Sequence, residues 1–294
     1  MDIINRYKTG LVSVIINCFN SESFIKEAID SVISQTYSNW EIILWDNRST
    51  DRTREIVKGF QDERIQYFLS QDFTSLSLAR KLAIEKANGK YLAFLDSDDY
   101  WEPEKISLQV KLLKENPQIG ITHTNFTLVT EDSDIKAKLQ NNYYASIQQK
   151  AYSNKNIYKT LLYSNYIIFS SLLMRKNIYD STGGINENFN QNEDYELLLK
   201  ASLLTRASNI SLPLTYYRIH SNNQSYKNQE LSYIENRVIY KDLNETFFSS
   251  LAYYRNQFRY NIFLYKNRKT NLFFVLNPIN WFFILEYIIR KLSK

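Results

Sequence analysis

Three aspartates, Asp96, Asp98 and Asp99, stand within four residues of one another, directly after the apolar run Tyr91–Leu95. Carboxylates crowded this closely repel, and each raises the pKa of the others unless a cation joins them. A hard divalent ion with oxygen ligands is the simplest remedy. Mg2+ or Mn2+ held by one or two carboxylates, phosphate oxygens and water is a recurring arrangement of that kind. The spacing therefore predicts a divalent metal bound together with a phosphorylated ligand. The competing role for such aspartates is to cap the helix that follows. Neither glycine-rich phosphate loop, G-x-x-x-x-G-K-[ST] or G-x-G-x-x-G, follows any strand, so phosphate charge must be met by the metal and by side chains.

These aspartates need a strand end to carry them, and the chain supplies one. "LVSVIINCFN" (11–20) is an unalternating β-branched run, as in a strand covered on both faces. "SESFIKEAIDSVISQ" follows with helical spacing behind a predicted Ser21 cap. The alternation repeats as strand 41–45, helix 51–60, strand 65–69 and helix 75–87. Gly89 is expected to end that helix, and "KYLAFL" makes a fourth strand. This rhythm predicts an α/β fold, a mostly parallel central sheet with helices on both faces. Ligands in such sheets bind outside the carboxyl ends of the strands, where the three aspartates stand.

Beyond Pro103 the pattern predicts a helix to Asn116, a strand over 120–129, and an aperiodic loop over 130–152. Helix 155–164, strand "IIFSSLLMR", the turn "STGGINENF", helix 192–204 and a strand around "LTYYRIH" complete the first domain, residues 1–226. Residues 227–294 read as a helical extension.

The 294 residues are 44% hydrophobic and 23% charged, the profile of a folded chain. A single cysteine, Cys18, excludes an internal disulfide and suits a reducing cytoplasm; it reads as a small buried residue. The first ten residues carry no signal-peptide pattern. Residues 1–226 hold 25 basic against 26 acidic side chains, whereas residues 227–294 hold 11 against 5. A nucleic-acid partner would require the basic excess on the folded module, so none is expected. A basic, aromatic tail suits an anionic membrane surface; "LFFVLNPINWFFILEYII" (272–289) is its most apolar stretch, and Trp281 to Leu292 is expected to lie flat on that surface as a peripheral anchor. The alternative is a terminal helix docked on the domain itself or on a second subunit of a homo-oligomer.

Taken together, "VSVIINCFNSESFIKEAIDSVISQTYSNWEIILWDNRSTDRT", "ARKLAIEKANGKYLAFLDSDDYWEPEKI", "GGINENFNQNEDYELLLK" and "YYRIH" resemble, in order and spacing over residues 11–220, the family 2 glycosyltransferases of the GT-A fold. That resemblance implies inverting, metal-dependent transfer of a sugar from a nucleotide diphosphate, a UDP-sugar being favoured, to an acceptor hydroxyl. Asp96-Ser97-Asp98 matches the D-x-D motif, which implies that Asp96 contacts the ribose and Asp98 the Mn2+ or Mg2+. Asn17 and Phe19 match positions beside the nucleobase, where the family has Pro and Tyr. Asp46 and Asn47 match its paired Asp residues, the second of which accepts the N3–H of the base. An amide oxygen can still accept that bond.

Arg80 matches an arginine facing the donor. Asp194, in "NED", matches the base that deprotonates the acceptor, with Glu193 beside it to raise its pKa. Arg218 and His220 match a segment whose histidine reaches the metal or the diphosphate. Trp101 is weighed between a platform for a sugar ring and packing beside Pro103, and His123 is read as a core or surface residue and not as a ligand. The resemblance also implies a glycan or lipid-linked acceptor in surface polysaccharide assembly, while the basic tail is what places that work on the inner face of the cell membrane. Two rivals are a metal-dependent phosphatase using a D-x-D nucleophile and a non-catalytic scaffold at a membrane assembly.

Overall fold

The computed structural model describes residues 7–131, 157–221, 223, 228–243 and 247–267. It divides into two units, residues 1–221 and 222–294. In the first unit the alternating strands and helices become β1 (Lys8–Cys18), α1 (Ile25–Ile33), β2 (Trp40–Asp46), α2 (Thr53–Lys58), β3 (Ile65–Leu69), α3 (Leu76–Ile84) and β4 (Gly89–Asp96). They continue as β5 (Tyr100–Trp101), α4 (Lys105–Glu115), β6 (Ile119–Val129), α5 (Tyr158–Tyr163), β7 (Leu173–Arg175), α6 (Lys176–Ser181), α7 (Glu193–Leu204) and β8 (Arg206–Arg218). One sheet holds all eight strands in the order β3-β2-β1-β4-β7-β6-β8-β5. Its first four are parallel, and β7, antiparallel to both β4 and β6, breaks that run.

The unalternating sequence of β1 has a direct cause. Val12, Val14, Ile16 and Cys18 pack with α1, α2 and α4, while Ile15 is buried on the opposite face, to which α3 contributes Ala79 and Ala83. Register places Asn17 between Trp45 and Asp96, so the last rungs of β1, β2 and β4 open at one place.

Gly89 does not end a helix. α3 stops at Ile84, and Gly89 opens β4, where a Cβ would lie 2.7 Å from both Leu11 O and Ser13 N. Close backbone approach is what requires glycine here. Gly89→Ala is expected to cost about 1–3 kcal/mol through overpacking, read as a lower denaturant midpoint with an unchanged slope.

Ser21 does not cap α1 either. Its carbonyl accepts from Phe24 and Ile25 N–H, while its hydroxyl meets that of Ser97 at 2.8 Å. The "IIFSSLLMR" run is a strand only over Leu173–Arg175, because Phe169–Ser171 form a 3-10 turn. There the carbonyls of Ser170 and Ser171 accept from Trp101 Nε1 (2.7 Å) and Gln109 Nε2 (3.0 Å) instead of from a ladder. Pro213 is tolerated in β8 because it sits at a register irregularity against Asn125. The short β5 and α6 carry no periodicity long enough to announce them.

Beneath the sheet's mouth Lys105 is fully buried. Its Nζ donates to Gln109 Oε1 at 2.9 Å and lies 3.9 Å over the Trp101 ring, and burial pushes the amine's pKa well below its usual value. His123 belongs to the core, with its pKa pushed down to about 4 by burial. Cys18 is buried as expected, and burial raises its thiol pKa.

In the second unit α8 (Gln229–Asp242) and α9 (Phe247–Lys266) are joined by Asn256 Nδ2 donating to Tyr233 O at 2.9 Å and by Tyr233 packing against Tyr260 and Phe263. Among the described residues no helix is long and apolar enough to cross a membrane. The 272–289 stretch, and all of the 130–152 loop after Glu131, lie outside the described residues.

Candidate active site at the carboxyl ends of the strands

The fold gives each of the three aspartates a different environment. Asp96, the last residue of β4, accepts from Arg80 Nη2 at 2.7 Å through Oδ1, and its backbone N–H donates to Ser170 Oγ. Burial raises its pKa against the pull of Arg80. Asp99 is 1% exposed and accepts from Ser170 Oγ and from the Arg218 backbone N–H. Burial first, then the charges of Asp98 and Asp96, hold its carboxyl well above the usual range. Only Asp98 turns toward another metal-ligating side chain, with Oδ2 3.0 Å from His220 Nε2.

A carboxylate oxygen and an imidazole nitrogen at that separation fit the coordination sphere of one Mn2+ or Mg2+. Among the described residues no group of three or more His, Cys, Asp or Glu side chains forms a closed cage. An ion at Asp98 and His220 therefore needs oxygens from phosphate or water as well.

His220 is steadied by stacking on Phe24, with centroids 5.3 Å apart. Arg218 straps the same segment down. Its Nε donates to Asp98 O at 2.9 Å, its Nη2 pairs with Glu27 of α1, and its guanidinium lies 4.6 Å over Phe24. The guanidinium is buried and engaged with α1, Phe24 and the Asp98 backbone, which gives Arg218 a positioning role for this segment. Neither Glu27 nor Phe24 was singled out from sequence, since nothing local to α1 points to a partner some 190 positions away.

At the β1–β2 end Phe19 is 47% exposed and meets Phe73 edge-on at 4.8 Å. Asn17 Nδ2 is buried without a partner. Asp46 is fully buried and accepts from Ser49 N and Tyr67 Oη at 2.7 and 2.6 Å, so it shapes the β2–α2 loop. Asn47 Oδ1 accepts from both Thr74 N (3.0 Å) and Thr74 Oγ1 (3.1 Å), and its Nδ2 donates to Thr74 O (2.8 Å). The Asn47 amide is thus engaged with the loop before α3 through both its oxygen and its nitrogen. Trp101 is no sugar platform: it is 3% exposed, bonded to Ser170 O and covered by Lys105.

Asp194 lies in the first turn of α7, its Oδ1 accepting from Tyr195 N at 2.6 Å. Burial and then the neighbouring Glu193 push its pKa up to about 7, against the pull of Arg80. Glu193 is 1% exposed and paired with Arg80, so it stands behind the site and cannot meet an acceptor. Arg80, 7% exposed and 4.7 Å over the Phe169 ring, thus holds Asp96 with one nitrogen and Glu193 with the other.

This mixed sheet, with D-x-D at the mouth of its fourth strand, is the GT-A fold. S. aureus TarS residues 1–349 in complex with UDP superposes on it with a TM-score of 0.67, at 19% identity over 89% of this chain and 75% of that one. The chain belongs to glycosyl transferase family 2, whose family model matches residues 13–181. Among Escherichia coli relatives it is similar to the UDP-Glc:alpha-D-GlcNAc-diphosphoundecaprenol beta-1,3-glucosyltransferases WfaP and WfgD. WfaP is 34% identical over 221 residues, 73% of this chain and 80% of that protein. WfgD is 37% identical over 123 residues, 42% of this chain and 48% of that protein. The chain thus spans about half the length of some of the curated relatives it matches.

Proposed function

We propose that this chain is an inverting glycosyltransferase that moves a hexose from a UDP-sugar to a hydroxyl of a lipid-linked or growing surface glycan. The observation that carries the reading is the span of Arg80, which sets the D-x-D carboxylate and the Asp194 turn at two ends of one guanidinium. The relatives' names add a UDP-glucose donor and a diphosphoundecaprenol-linked acceptor for those proteins. A lipid-linked acceptor also supports work at the inner membrane surface, to which we assign the basic tail.

In this reading Asp194 Oδ takes the proton of the acceptor hydroxyl while that oxygen bonds to the anomeric carbon. The bond from that carbon to the diphosphate oxygen breaks on the opposite face, so the configuration inverts and UDP leaves with the electron pair. Asp98 and His220 would hold the Mn2+ or Mg2+, which when bound supplies positive charge against the leaving diphosphate. Asp96, fixed by Arg80, faces the ribose. Phe19 stacks on the base, with Phe73 bracing its ring and Asn47 pinning the loop that carries Phe73.

A thermal-shift panel of UDP, GDP, dTDP and CMP, each with and without Mn2+, tests this reading. UDP or dTDP at about a hundred times its Kd should stabilise by ~2.7 kcal/mol, roughly 5 °C or more in Tm, and only with the ion present. Equal responses to all four nucleotides would remove the assignment of a uracil or thymine base, and responses indifferent to Mn2+ would remove the metal.

A further inference from the structure

Two features of the Asp194 turn bear on the proton that Asp194 must accept. Glu193 is buried at 1% exposure and spends one carboxylate oxygen on Arg80, while its other oxygen, Oε2, has no partner. Arg80 in turn reaches from α3 to a second carboxylate, Asp96, on β4. A side chain sealed from solvent touches no acceptor, yet an acidic group directly beside Asp194 with an uncompensated oxygen acts on Asp194 through a medium that screens poorly. The arginine acts on the same carboxylate with the opposite sign.

We infer that Arg80 and Glu193 are a pair of positioning residues for Asp194, a buried counter-charge couple fixed between α3 and α7 that sets the pH at which Asp194 can accept a proton. The inference rests on the reading of Asp194 as the base. The largest charge effects on Asp194 come from Glu193 on its own helix, Arg80 on α3 and Asp96 on β4. Of the other charges on α7 and the helices packed along it, Glu196 pairs with Lys200, Lys176 with Asp180, and Lys159 of α5 is not among those that act most on Asp194.

The signs of the two substitutions are opposite. Glu193→Gln keeps an oxygen for Arg80 but removes a negative neighbour, so the ionised Asp194 becomes easier to form. Arg80→Met removes the positive neighbour, so it becomes harder to form. The double variant removes one charge of each sign and should restore a near-native balance.

The test is the pH dependence of UDP release from UDP-glucose with Mn2+, read together with the infrared band of protonated carboxyl groups. Subtracting the spectrum of Asp194→Asn isolates the contribution of Asp194. Glu193→Gln should move both the acid limb of the rate and the midpoint of the band to lower pH by about one unit, Arg80→Met should move both up, and the double variant should lie between, one unit corresponding to ~1.4 kcal/mol. If Arg80→Met does not fold, Glu193→Gln and Arg80→Lys still decide, since Lys keeps the charge and should leave the midpoint near its native value. Shifts in the same direction, or none, overturn the inference. A band that moves as stated while the rate of Asp194→Asn stays at wild-type level would instead overturn the assignment of Asp194 as base, so the two failures are distinguishable.

Discussion

Asp194→Asn is expected to lower sugar transfer by about 10²–10⁴-fold while the Mn2+-dependent affinity for UDP stays as it is. Asparagine keeps the size of the side chain and the oxygen that accepts from Tyr195 N, so the turn should survive. What it lacks is a carboxylate able to take a proton. With a pKa of about 7, wild-type Asp194 is ionised only on the alkaline side of neutrality, so the rate should fall tenfold per pH unit below that value and level off above it. The residual rate of the variant should show no such limb.

The stability effect has the opposite sign. A carboxyl whose folded pKa is raised binds more protons folded than unfolded, so its contribution to stability is present at low pH and is lost as pH rises through about 7. Asp194→Asn should therefore melt at a higher temperature than wild type at pH 8. A variant that unfolds more easily there, or transfers sugar at an undiminished rate, would defeat the assignment of Asp194 as base.

Asp98→Asn has the second largest expected effect. Of the three clustered aspartates, Asp98 alone points its carboxylate at His220, so the substitution removes a charged ligand while leaving Asp96 on Arg80 and Asp99 on Ser170. Loss of a supporting hydrogen bond to a metal ligand already weakens metal affinity about 10–100-fold, and loss of the ligand itself should cost at least as much. The stabilisation by UDP plus Mn2+ should then vanish at concentrations that saturate the wild type. Without nucleotide the variant should be no less stable, because the negative charge beside Asp96 and Asp99 is gone. Asp96→Asn offers the contrast, since it should weaken UDP binding with or without the ion. Equal Mn2+ dependence in Asp98→Asn and wild type would mean that the ion is held elsewhere.

What could be read from the chain was whatever repeats along it. The buried parallel strands β1, β2 and β4 follow from unalternating apolar runs, the helices between them from spacings of three and four residues, and the acidic mouth of β4 from adjacent residue types. What escaped depends on partners far away in the chain. The 3-10 turn at Phe169–Ser171 exists because Trp101 and Gln109 claim its carbonyls. The separate fates of Asp96, Asp98 and Asp99 are decided by Arg80, His220 and Ser170, none closer than sixteen positions. Asn47 is the sharpest case: amide and carboxylate differ by little in a motif, yet only the amide can both donate to and accept from Thr74, and that lets it staple the loop before α3.

Lys105 has a consequence of a different kind. Sealed under Trp101, with burial pushing its pKa well below the usual value, its amine is out of reach of any reagent while α4 stays docked. Each transient opening of that wall lets the amine protonate and hydrate, so acid favours the opened chain over the closed one. A single position thus couples breathing of the wall beneath the catalytic mouth to chemical vulnerability, and acylation at Lys105 would mark the molecules that had opened.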